Sequence, residues 1–84
     1  MAMALRLRIV SPERVVFQGE VESVVVPGSC GLFEILKGHA PIISSLQTGK
    51  VTYTPTGAPR QELSIGGGFV EVQKDEVSLC VETP

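Results

Sequence analysis

The chain has 84 residues, a net charge of −2 and a hydrophobic fraction of 43% against 19% charged. That length suffices for one domain (residues 1–84 read as a single unit), and the apolar fraction argues against a disordered chain. Lys and Arg are scattered along the sequence and aromatics make up 5% of it, which argues against a nucleic-acid surface built on counterion release or base stacking.

A domain this small buries about 63% of its unfolded surface, so it is marginal alone and gains from docking to partners. Cys30 and Cys80 could form at most one disulfide. The start of the chain lacks a charged region followed by a long apolar run, so two free thiols in a reducing compartment are expected. No apolar stretch approaches the ~20 residues that span a bilayer. Any membrane association is therefore expected to run through another protein.

Taken in order, the segments show a period of two. Leu5, Leu7 and Ile9 alternate with Arg6 and Arg8, which predicts a strand with one wet face. Ser11-Pro12-Glu13-Arg14 breaks it as a turn. Val15-Val16-Phe17 resumes the pattern, and Gly19 is a candidate bulge or bend. Val21–Val26 is a β-branched strand ending at Pro27-Gly28, followed by the tight loop Pro27–Gly31. Leu32–Leu36 reads as a short strand with Leu32 and Phe33 as exposed candidates. The loop Lys37-Gly38-His39-Ala40-Pro41 follows, and Pro41 holds Ala40 extended.

Ile42 and Ile43 open an apolar run that closes at Gln47-Thr48-Gly49. Val51 and Tyr53, interleaved with threonines, predict a strand whose hairpin partner is Gln61–Ile65. Gly66-Gly67-Gly68 interrupts the pattern before Phe69, Val70 and Val72; Lys74-Asp75 turns the chain into the last strand, Val77–Val81. No window shows helical spacing. Short strands with turn signals every 8–12 residues predict an all-β sandwich or barrel.

The residues that could carry chemistry do not assemble into a motif. Cys30 and His39 could in principle form a thiolate–imidazole pair, yet no orienting acid accompanies them. Cys30, His39 and Cys80 lack zinc-ligand spacing. The glycine run precedes a strand rather than a helix and has no Gly-Lys-Ser/Thr, so a bulge or close backbone crossing is expected there instead of a phosphate cradle. The carboxylates mostly alternate with apolar residues, the mark of a wet sheet face. No catalytic, cofactor or metal site is expected. What remains is the double loop 27–41, since functional residues concentrate on loops set by a rigid scaffold.

One resemblance gives that double loop a meaning. Ser11-Pro12-Glu13-Arg14 with Phe17, Gly19 and Val21 comes first. Val26-Pro27-Gly28-Ser29 leads to Gly31, then to Ile35-Leu36 and Gly38-His39-Ala40-Pro41. Gly67-Gly68-Phe69-Val70-Glu71-Val72 and Val77-Ser78-Leu79 follow. Over essentially its whole length the chain resembles the N-terminal β-sandwich domain of the epsilon subunits of rotary F-type ATP synthases. The resemblance implies a two-sheet antiparallel sandwich of about ten short strands. It implies a non-catalytic rotor subunit that couples the gamma subunit to the membrane ring of c subunits in a proton-transporting enzyme. It also implies a peripheral location on the cytoplasmic face of a bacterial inner membrane.

Carried over by position, Gly28, Ser29, Cys30, Gly31, Leu32, Phe33, His39 and Ala40 would meet the c ring. Ser11, His39 and Ser44 would lie toward gamma. Replacing His39 or Gly31 with a bulky acidic residue is expected to weaken assembly and leave the fold intact. The family often carries acidic residues at the positions of Cys30 and Leu32, so an uncharged loop implies either a more apolar contact or a ring that has changed to match. The sequence given stops where the family's C-terminal helices begin, so their inhibitory role and nucleotide site are not carried over. Set against this reading is a free-standing β-sandwich adaptor for another assembly.

Overall fold

The computed structural model describes residues 4–84. Its strands are β1 (Leu5–Val10), β2 (Val15–Gly28), β3 (Gly31–Ile35), β4 (Ile42–Leu46), β5 (Gly49–Pro55), β6 (Gln61–Ile65), β7 (Gly67–Gln73) and β8 (Glu76–Glu82). The fold is all-β, as the period-two pattern predicts. The strands number eight among the described residues, against the about ten that the resemblance implies for a sandwich of this kind. Part of the difference lies in β2, where the Val15–Phe17 and Val21–Val26 segments run on as a single strand of 14 residues.

That long strand organises the molecule. Its first half pairs with β1, from Leu5↔Val21 to Ile9↔Phe17. Its second half pairs with β3 on one side and with β5 on the other. One layer therefore follows the path β4–β7–β8–β1–β2, and the second follows β3–β2–β5–β6. A strand shared between two packed sheets needs a bend where it changes layer.

The bend falls at Glu22, where the β2–β5 register slips between Val21↔Pro55 and Ser23↔Thr54. The extra residue exchanges the faces of the strand. Up to that point Val21 is buried, and beyond it Val24 and Val26 are. Gly19, the residue that the sequence suggests for a bulge, instead pairs in regular register with Leu7. A β-carbon there would meet the Phe17 ring at 3.3 Å.

Pairing is antiparallel except for β1 with β8, which is parallel from Arg6↔Glu76 to Val10↔Cys80. The first strand takes β2 on one edge and leaves the other to the last strand. Nearly the whole chain separates β1 from β8, so a long connection of the kind parallel pairing needs is available.

The inward residues of both layers make one cluster, including Leu7, Ile9, Val24, Val26, Ile35, Val51, Ile65, Val70, Val72 and Leu79. Alternation along β8 shows how directly the sequence writes this: Val77, Leu79 and Val81 are buried while Ser78 and Glu82 face out. Phe17 closes the cluster from the side, its ring 4.8 Å from that of Tyr53. The core holds no buried polar or charged residue among those described.

Candidate functional site

The β2–β3 hairpin brings Gly28 opposite Gly31, with Ser29 and Cys30 between them at the tip. No residue from 28 to 33 carries a charge. The tip is tied to the strand end beside it. The Ser29 N–H and hydroxyl both donate to the Ser45 carbonyl, at 3.2 and 3.1 Å. Gln47 completes the tie: its N–H donates to the Pro27 carbonyl at 2.9 Å and its side-chain amide to the Gly28 carbonyl at 3.0 Å. These bonds hold a short, exposed loop in one shape without burying it.

The side chains of the tip do not all face solvent. Leu32 is 72% exposed, a large apolar side chain held out by a rigid hairpin. Cys30 is exposed and free. Phe33, by contrast, is half-buried and packs on the core, which corrects its expected exposure. Its ring covers Gly28: a β-carbon on Gly28 would sit 2.8 Å from that ring. Gly28 is buried and shapes the tip rather than presenting a surface. Gly31 takes φ +126°, a conformation that side chains of L-residues rarely adopt.

His39 follows a tight turn in which its N–H donates to the Leu36 carbonyl at 3.1 Å. Its ring lies 6.3 Å from the Phe33 ring, so the second loop adjoins the first through this aromatic pair. His39 Nδ1 stands 2.8 Å from the Ala40 carbonyl oxygen. A carbonyl only accepts, so Nδ1 is the donor in this contact. Ala40 is exposed and leads through Pro41 into β4.

The residues expected to face gamma are dispersed. Ser44 is half-buried on β4 and its hydroxyl donates to the Ser45 carbonyl at 3.1 Å. Ser11 caps the β1–β2 turn, where its N–H and hydroxyl donate to the Arg14 carbonyl at 2.9 and 3.3 Å. Between them lie β7 and β8, with Ser44↔Val70↔Leu79↔Ile9 as the connecting row. Three strand spacings put Ser44 roughly 14 Å from Ile9, and Ser11 lies two residues further on.

Sequence reasoning missed the residues that fasten the loops: Ser45, Gln47 and Asp75, whose carboxylate accepts from the Gly38 N–H at 2.6 Å. They lie far along the chain from what they hold, and no local pattern marks them. It also missed Ile43 and Phe69, 76% and 50% exposed on the outer face of the β4–β7 pair. Among the described residues no group of three or more His, Cys, Asp or Glu side chains is placed to hold a metal.

The architecture defines a small β-sandwich whose distinctive surface is a braced, uncharged hairpin tip beside a second loop. The chain belongs to the family of the ATP synthase Delta/Epsilon chain, beta-sandwich domain, whose profile matches residues 4–83. Among its relatives is the ATP synthase epsilon chain of Parvibaculum lavamentivorans, 44% identical over 82 residues, a match that covers 98% of this chain and 62% of the relative. The ATP synthase epsilon chain of Chlorobium limicola is 43% identical over 79 residues, covering 94% of this chain and 90% of that one. The chain thus spans under two thirds of the first relative and most of the second.

Among solved structures, the fold matches a chain of the Euglena gracilis mitochondrial ATP synthase OSCP/F1/c-ring assembly with a TM-score of 0.88 at 19% identity. That match covers 96% of this chain and 52% of the other. A chain of the Tetrahymena thermophila mitochondrial ATP synthase central stalk/c-ring matches with a TM-score of 0.81 at 14% identity, covering 95% and 64%.

Proposed function

We propose that this chain is the β-sandwich part of a non-catalytic central-stalk subunit in a proton-transporting F-type ATP synthase. It binds the gamma subunit and rests its hairpin tip on the polar loops of the c ring, so that ring rotation reaches the stalk without slipping. The observation that carries this reading is family membership over residues 4–83, with relatives named as epsilon chains on both the long and the short scale. The geometry supports it physically. A coupling element needs a stiff body and a fixed contact surface, and the closely tied tip at Ser29–Gly31 supplies the second.

On this reading the c-ring contact is made by Ser29, Cys30, Leu32 and the neighbouring His39 and Ala40, over a frame set by Gly28, Gly31 and Phe33. The gamma contact is made around Ser11, His39 and Ser44. The subunit sits on the cytoplasmic face of a bacterial inner membrane and is held there by its partners. No helix among the described residues is long and apolar enough to cross a membrane. The test is affinity purification of the tagged chain from its own membranes. Recovery of gamma and c subunits supports the proposal, and a wholly different partner set sinks it.

A further inference from the structure

Asp75 lies in the β7–β8 turn, far in sequence from the loop that carries His39. Gln73 pairs with Glu76, leaving Lys74 and Asp75 as the two turn residues, both left-handed at φ 52° and 62°. That is the backbone of a type I′ hairpin turn, where Asp is tolerated because its short polar side chain can bond locally. Here the side chain is used at long range instead. Its Oδ1 accepts from the Gly38 N–H at 2.6 Å, while the Asp75 carbonyl accepts from the Arg6 N–H at 2.9 Å.

Gly38 is the residue for which a second support matters. The Leu36–His39 turn is closed by the His39 N–H on the Leu36 carbonyl, and Gly38 takes φ +84° at its third position. In a turn of this type the peptide between the two central residues points its N–H away from the closing bond. That N–H has no use inside the turn. The Asp75 carboxylate takes it, by a charge-assisted bond of the stronger sort. Among the described residues no cation forms a salt bridge with Asp75. One turn thus holds three segments in register: β1 at Arg6, its own hairpin, and the second loop at Gly38.

We propose that Asp75 is the positioning residue of the docking surface: through Gly38 it fixes the Leu36–Pro41 loop and sets where His39 and Ala40 stand relative to Phe33 and the hairpin tip. The inference rests on the docking role given above for that surface. It assigns Asp75 no contact with a partner.

Two substitutions separate the clamp from the turn. Asp75→Gly keeps a left-handed turn and removes the acceptor, and Asp75→Asn keeps both the turn preference and a side-chain carbonyl. In the 84-residue chain, amide exchange at Gly38 followed by NMR should rise about tenfold or more in Asp75→Gly and stay within about threefold of the parent in Asp75→Asn. Exchange at Val70 and Leu79 should be unchanged in both. Co-sedimentation with gamma subunit and c ring should weaken in Asp75→Gly and recover in Asp75→Asn. Unchanged Gly38 exchange in Asp75→Gly overturns the clamp, and a freed Gly38 with undiminished docking overturns the positioning role. Failure of the parent chain to bind either partner sinks the docking reading alone, because the Gly38 measurement still decides the clamp.

Discussion

A β-carbon placed on Gly68 would lie 2.1 Å from the Cys80 carbonyl oxygen and 2.9 Å from the Val81 Cα. Gly68 also sits at φ +142°, so two separate constraints demand glycine. The backbone of β7 lies close against that of its neighbour β8 here, where Gly68 pairs with Val81. Gly68→Ala must push backbone against backbone, and the expected loss is about 3 kcal/mol or more. Gly66→Ala makes a control: its β-carbon would meet only the Glu82 carbonyl, at 3.6 Å. That change should stay within about 1 kcal/mol. Chemical denaturation of the two variants checks the contrast, and equal midpoints would contradict it.

The hairpin tip can be probed without touching the fold, provided the position is chosen by its backbone. Leu32, 72% exposed, accepts a charge at little cost to stability, within about 0.5 kcal/mol. Leu32→Lys, the charge opposite to the one the family often carries there, should therefore keep the melting temperature and weaken co-purification with the c ring. Gly31→Glu, which the sequence suggests as an equivalent test, is not equivalent. Gly31 stands at φ +126°, so the substitution strains the turn as well as altering its surface. Normal ring association by Leu32→Lys would remove this side chain from the contact.

The core permits a harsher test. Leu79 is 0% exposed in the centre of β8 and no polar group lies buried near it to receive a charge. An aspartate there loses the apolar contacts and adds an unpaired carboxylate, which together cost about 4 kcal/mol or more. A domain of this length has only about 4–13 kcal/mol in hand. Leu79→Asp should lack a cooperative thermal transition, as read by far-UV circular dichroism.

Tyr53 supplies the pH dependence. It is 8% exposed, and burial pushes its phenol above the ordinary value of 10.0. The folded state therefore holds the proton more tightly than the unfolded state does. Stability from this residue is fully present below the unfolded value and is lost as pH rises from there through the folded value. Stability measured by urea melts should decline above about pH 10, and Tyr53→Phe should flatten that part of the decline. An identical alkaline limb in the variant would assign the loss to other groups.

Much of the fold was legible because alternation is a local property. Leu5, Leu7 and Ile9, or Val77, Leu79 and Val81, declare their buried face within a few residues. The turns at Ser11–Arg14 and Lys74-Asp75 were equally plain, since their residue types suit the backbone they adopt. The bulge was misplaced for the same reason. Gly19 looks like a bend in isolation, while Glu22 carries the slip because β2 must change layers there, a demand set by β5.

The sequence by itself therefore determined the strands, the apolar core, the absence of a charge on the tip and, through its resemblance, the family. Only the tertiary structure decided that β1 lies parallel to β8, that Phe33 turns inward over Gly28, and that Ser45, Gln47 and Asp75 fasten the two loops. The same division holds for Gly68: the glycine run left a bulge or a close backbone crossing open, and the fold shows the Cys80 carbonyl of the paired strand lying against it. Periodicity reports which way a side chain points relative to its own strand. It carries no information on which strand comes to lie alongside, because that choice is made by burying all the apolar faces at once.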